Sequence, residues 1–177
     1  AAADTIYNVL TQNTSTTLKD SLNFMTFTTM LLMKKTPRLF ANTKLVIQID
    51  DSVIIHPLSM HFVRQYAKEG YKVAVNEFQF SPRYLSIMDS IDYIKIFCQT
   101  TNDATIRNII EIAHSMNKKC IITQVNSEDQ YQRAIAMGAD AMEGTRVAET
   151  IQIQAHSGTY LQSNFFQLLI AVTRDIP

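Results

Sequence analysis

The chain has 177 residues, 46% of them hydrophobic, and its 16 Lys and Arg balance its 16 Asp and Glu. This length suits one domain. The neutral balance leaves no electrostatic footprint for DNA or RNA, and no apolar run approaches the ~20 residues of a membrane-spanning helix.

In chain order, residues 4–10 place Ile6, Val9 and Leu10 at helical spacing. Residues 11–17 are a polar loop, and Asn13-Thr14-Ser15 there has the form of a glycosylation acceptor that we read as chance. Residues 22–27 read as a strand with Phe24 and Leu22 on one face. Residues 28–35 read as a short helix with two terminal lysines, ending at Pro37. Leu45, Val46, Ile47 and Ile49 make 44–50 a strand. Asp50 and Asp51 then form a carboxylate pair, read as a solvated strand end rather than as metal ligands. His56-Pro57 opens a helix with Leu58, Phe62, Val63, Tyr66 and Ala67 on one face, and Gly70 falls where a helix end favours a left-handed residue.

Val73, Ala74 and Val75 form an apolar run that suits a buried parallel strand. Ser81 is placed to cap a helix with Pro82 at its first position, and Ile94 and Ile96 belong to the next strand. Binding chemistry in parallel sheets collects at the C-terminal strand ends. Here those ends carry Asn76, Glu77, Lys95 and Phe97. Asn102 or Asp103 caps a helix whose apolar stripe is Ile106, Ile109, Ile110, Ala113 and Met116. Residues 120–125 are a strand. Ser127 and Gln130 have capping-box spacing and open a helix that stops at Gly138. Residues 140–142 are a short strand, and 149–176 read as mainly helical.

Several features carry no chemistry. His56, His61, His114 and His156 lack ligand spacing. The four glycines do not form a phosphate-cradling loop. Met30, Met33, Met116 and Met137 are expected to fill the core. Cys98 and Cys120 are expected to be reduced, buried thiols, with a disulfide as the alternative. No secretory signal is read ahead of Asp4, and a cytoplasmic location is expected. The alternation of strands and helices implies parallel strands with right-handed crossovers. A full eight-unit barrel takes about 250 residues. The fold class is therefore α/β, an incomplete or modified TIM-like (β/α) barrel.

The motifs at the strand ends carry a resemblance to EAL domains, bacterial phosphodiesterases of cyclic di-GMP built as a modified barrel with a divalent metal site, Mg or Mn. Asn76-Glu77-Phe78-Gln79 resembles their D-D-F-G motif. Ile94-Lys95-Ile96-Phe97 resembles K-I-D, with Phe97 at the acid. Phe24-Met25-Thr26 resembles a strand ending in a ligand Asn, with Thr26 there. Ile47-Gln48-Ile49-Asp50-Asp51 resembles L-E-I-T-E, with Gln48 at the ligand Glu. Ile122 to Ser127 resembles A-E-x-V-E-T, with Asn126 at the second Glu, and Glu143-Gly144 resembles Q-G. Nothing matches the opening E-A-L strand.

By this resemblance Thr26, Gln48, Asn76, Glu77, Lys95, Asn126 and Glu143 are a vestigial site, with no catalytic residue and no metal ligand set. Lys95 beside Glu77 is expected to be an ion-paired or hydrogen-bonded relic. Divalent ions favour anionic oxygens, so no cofactor is expected. The expected function is a non-catalytic signalling module acting through protein or interdomain contacts. The alternatives are a cyclic di-GMP phosphodiesterase with an atypical metal site, and a metal-independent receptor using Lys95, Arg83 or Arg146 on the phosphates. Residues 1–155 are expected to form the barrel domain, without the family's first strand. Residues 156–177, with Phe165, Phe166, Leu168 and Leu169, resemble the junction to an HDOD domain, a helical regulatory module. Such a domain or another protein is the expected partner, and self-association is a further expectation.

Overall fold

The computed structural model describes residues 22–148. The helices expected at 4–10 and 149–176, the Asn13 motif and His156 lie outside the described residues. Six strands form one sheet: β1 (Asn23–Thr26), β2 (Leu45–Ile49), β3 (Lys72–Val75), β4 (Tyr93–Phe97), β5 (Lys119–Thr123) and β6 (Ala141–Met142). All neighbouring pairs are parallel, and their spatial order is their sequence order. Every crossover thus advances in the same direction. With right-handed crossovers and right-handed twist, such single winding curls the sheet and puts the helices on its outer face. The result is a half-barrel of the TIM type, as the alternation of elements implies.

The helices are α1 (Thr29–Met33), α2 (Asp51–Ile54), α3 (Pro57–Lys68), α4 (Pro82–Leu85), α5 (Asp103–Ser115) and α6 (Glu128–Ala136). Their starts follow capping chemistry. Asn102 Oδ1 accepts from Thr105 N at 2.9 Å, and the Ser127–Gln130 capping box is complete in both directions. Asp50 Oδ1 accepts from Ser52 N at 3.0 Å and so opens α2, a turn that the sequence reading passes over. Ser81 precedes α4 but makes no side-chain capping bond. Among the described residues no helix is long and apolar enough to cross a membrane.

β2 is buried at all five positions, as a strand covered on both faces must be. Its odd-numbered residues Leu45, Ile47 and Ile49 join Val73, Val75, Ile94 and Ile96 in the core under the helices. Alternate residues, Thr26, Gln48, Ala74 and Lys95, point to the concave side, since side chains alternate along a strand.

Some packing expectations are corrected. The buried face of α3 is Ser59, Met60, Val63 and Tyr66, while Leu58 is exposed. Ser59 is tolerated inside because its hydroxyl meets that of Thr29 at 2.7 Å. Met30, Met33 and Met116 are exposed and only Met137 is core. The cause is length: α1 buries Leu32 alone, and Met116 lies past the end of α5 as its C-cap. α1 ends at Met33, ahead of Pro37, and the chain turns left-handed at Lys35, φ 60°; Pro37 itself sits inside a 3₁₀ turn, Thr36–Leu39.

At the N-terminal edge of the sheet, two aspartates clip neighbouring strands. Asp92 Oδ2 accepts from Val73 N at 3.0 Å and Asp140 Oδ2 from Cys120 N at 2.8 Å. Lys72 adds an ion pair to the first at 2.7 Å, and His114 Nε2 lies 2.7 Å from the second. Both cysteines are free thiols.

Candidate functional site

The C-terminal rim of the sheet brings four side chains from four strand ends into one chain of contacts. Register puts Thr26 beside Gln48 and Gln48 beside Ala74. The Ala74 side chain is too short to separate Gln48 from Lys95 on the far side of β3. Lys95 Nζ donates to Gln48 Oε1 at 2.9 Å, and Gln48 Nε2 donates to Thr26 Oγ1 at 2.9 Å. The orientation of the Gln48 amide follows, because an ammonium has donors and no acceptor. On the other side, Glu143 Oε2 lies 2.6 Å from the same ammonium. That oxygen is buried and makes no directed hydrogen bond, so the charge of Lys95 is what holds it.

Lys95 is 5% exposed. A buried ammonium is costly without a counter-charge, and Glu143 supplies one. The face of Phe24, 5.8 Å away, adds a cation–π contact, and Phe24 itself meets Tyr93 edge-on at 5.2 Å. Sequence reasoning placed Phe24 on one face of its strand without giving it this role. The period-2 pattern that sets Phe24 on the same face as Thr26 is the signal that could have done so.

The remaining expected site residues are not part of this cluster. Asn76 follows β3, where its backbone N donates to Ile49 O at 2.8 Å. Glu77 adopts a left-handed conformation, φ 52°, and is exposed. That bend lets Phe78 N return to Lys95 O at 3.0 Å while the Glu77 side chain points away. The expected Lys95–Glu77 pair is thus corrected: the partner of Lys95 is Glu143. Asn126 is exposed and serves the chain after β6, with Oδ1 accepting from Thr145 N at 3.2 Å and from Thr145 Oγ1 at 3.1 Å. Phe97, at the end of β4, is half-buried and has no ligand atom.

Asp51 is about half exposed, as a strand-end carboxylate is expected to be, and it also has partners. It accepts from Tyr84 Oη at 3.1 Å and pairs with Arg83 Nε at 3.1 Å, tying the start of α2 to α4. Burial, with the Asp51 charge second, pushes the Tyr84 hydroxyl up to about 12. Arg146 Nε donates to Glu128 Oε2 at 2.6 Å. The three cations offered for phosphate binding are therefore each engaged by a carboxylate. Among the described residues, no three His, Cys, Asp or Glu side chains group as a cation site.

The family model described as EAL domain matches residues 14–150. Uncharacterized protein YuxH of Bacillus subtilis (strain 168) is 23% identical over 159 residues, 87% of this chain and 39% of that protein. The chain thus spans well under half the length of this curated relative. The crystal structure of an EAL domain protein from Listeria monocytogenes EGD-e superposes with a TM-score of 0.61 at 15% identity, covering 89% of this chain and 71% of that one. The Bacillus subtilis YkuI protein, with an EAL domain and in complex with substrate c-di-GMP and calcium, gives 0.60 at 16% identity, over 82% and 40%. At such identities the likeness is one of fold.

Proposed function

This chain belongs to the EAL domain family, which is related to cyclic di-GMP phosphodiesterases, and we propose that it is a degenerate, non-catalytic member that signals through contacts with a protein partner. The observation that carries this reading is the charge of the rim cluster. Its polar groups are a hydroxyl, an amide, one ammonium and one carboxylate. Formally they sum to zero. Hydrolysis in this family is metal-assisted by the resemblance, and Mg²⁺ and Mn²⁺ favour several anionic oxygens. Gln48 Oε1 and Glu143 Oε2, the oxygens best placed to ligate, already face Lys95. The donor set does not fit a divalent ion, and no step is derived through one.

Residues 156–177 resemble the run into an HDOD-like domain, and we take such a domain as the partner. The receptor alternative has less support, because Lys95, Arg83 and Arg146 are each paired with an acid. YkuI binds c-di-GMP with calcium, which makes that nucleotide the ligand to try. Calorimetric titration of the 177-residue chain with cyclic di-GMP, with and without Mg²⁺ or Mn²⁺, should give no heat, and chromatography should find no linear product. Metal-dependent turnover would overturn the reading in favour of a phosphodiesterase with an atypical site. Metal-independent binding without turnover would replace it with the receptor.

A further inference from the structure

We propose that Lys95 is a resident counter-ion, and that the Lys95–Glu143 pair holds the C-terminal rim together where a divalent cation would otherwise have to do so. The idea rests on the reading above in taking the rim as metal-free, but its argument is geometric. Lys95 sits on β4 at the centre of the rim. One ammonium touches the end of β2 through Gln48 Oε1 at 2.9 Å and the residue after β6 through Glu143 Oε2 at 2.6 Å. Through the Gln48 amide it reaches Thr26 on β1 at 2.9 Å. A single cation therefore orients three side chains from three other strand ends, which is the positioning work a metal ion does with its ligands.

The burial of the ammonium, 5% exposed, makes this arrangement depend on charge rather than on packing alone. A buried ion needs its counter-ion, and among the described residues Glu143 is the carboxylate placed on it. A divalent ion drawn to Gln48 Oε1 or Glu143 Oε2 would compete with Lys95 for that oxygen and lie beside its positive charge. The cluster thus resists metal while remaining ordered. Lys95 and Glu143 are positioning residues in this scheme.

The geometry also says how the charge could be moved. Gln48 Oε1 is already within hydrogen-bond distance of the ammonium, so a carboxylate at residue 48 would neutralise it as well as one at 143 does. The test is a thermal-denaturation cycle on the full 177-residue chain in EDTA, followed by circular dichroism, using Glu143→Gln and the double variant Gln48→Glu/Glu143→Gln. Glu143→Gln should lower Tm by roughly 5 °C, as expected for removing the charge from a half-exposed pair in a chain of this size. The double variant should recover most of that loss. Wild-type Tm should be the same in EDTA and in Mn²⁺, and electron paramagnetic resonance should find no bound Mn²⁺.

An unchanged Tm for Glu143→Gln would overturn the proposal. So would a double variant as unstable as the single one, because then shape and not charge is what residue 143 supplies. Stabilisation of the wild type by Mn²⁺ would overturn it as well. No arm of the cycle measures turnover. Failure of the cycle would leave the non-catalytic reading standing; turnover without added metal, with the cycle intact, would overturn that reading alone, and metal-dependent turnover would overturn both.

Discussion

Gly144→Ala is the substitution for which the structure makes the sharpest demand. Gly144 follows Glu143 at the rim, and a methyl group on its Cα would lie 2.2 Å from Val125 O, 2.5 Å from Val125 N and 2.6 Å from Val125 C. These are backbone atoms, so no side chain can swing aside. Reaching an ordinary contact requires the two segments to part by about 1 Å, enough to break well-formed hydrogen bonds. Two such bonds flank the contact, Val125 N to Glu143 O at 3.0 Å and Arg146 N to Val125 O at 3.2 Å. Losing both costs about 1–3 kcal/mol, and the overpacking strain adds about 1–3 kcal/mol. A total near 3–4 kcal/mol corresponds to a Tm loss of about 10 °C in a chain of this length. Gly138→Ala is the control. Nothing lies within 4 Å of its added methyl, and only its φ of +80° opposes the change, worth about 1–2 kcal/mol. Urea denaturation of both variants, with equal m-values, measures the difference. Equal losses for the two would refute the argument, since the added methyl is the same and meets backbone only at Gly144.

Asp140→Ala removes the acceptor for Cys120 N and the partner of His114, and should cost about 1–3 kcal/mol in urea denaturation; Asp92→Ala, which frees Val73 N, should fall in the same range. Alkaline pH should destabilise the chain. The Tyr84 hydroxyl and the Cys120 thiol are each pushed up to about 12, chiefly by burial, against ordinary values of 10.0 and 9.0. The folded chain thus keeps protons that the unfolded chain releases, and stability is full below pH 9 and falls as pH rises towards about 12. Tyr84→Phe and Cys120→Ala should each flatten part of that slope in urea midpoints measured across the range. Met30→Ser and Met33→Ser should each change stability by less than about 0.5 kcal/mol, because both side chains are exposed; a loss of core size in thermal melts would contradict that.

Periodicity and caps were enough to locate β2 through β5 and the helices α3, α5 and α6, because each repeats a pattern over many residues or carries a local hydrogen-bonding signature. Breaker signals also located α1, ahead of Pro37, and α4, opened by Ser81-Pro82, but α2 is too short for a period to be read, and the methionines of α1 look like core until the helix is known to bury one residue. The site was legible in part. Thr26, Gln48, Lys95 and Glu143 stand at strand ends, and single-wound parallel strands bring their ends to one rim. Which of them touch depends on register and on the size of Ala74, a long-range relation that no local pattern holds. Glu77 was misplaced for a local reason: a left-handed residue after a strand turns its side chain away from the direction that strand alternation implies, and Glu is not a residue type that announces such a bend.

The side chains that tie neighbouring strands differ in their partners at the two edges of the sheet, and this bears on how a fold tolerates change at its site. At the N-terminal edge, Asp92, Asp140 and Asn23 bond to backbone groups of the adjacent strand. A backbone N–H or C=O is present whatever the neighbouring residue is, so these clips survive substitution next door. At the C-terminal rim, Thr26, Gln48, Lys95 and Glu143 bond side chain to side chain. Each link there depends on the identity of both partners, and one substitution changes the charge of the whole cluster. The edge that defines the barrel is thus insulated from the edge where chemistry would occur. A TM-score of 0.61 at 15% identity is what such insulation permits: the backbone match reports the fold, while the charge at the rim can change with a single substitution.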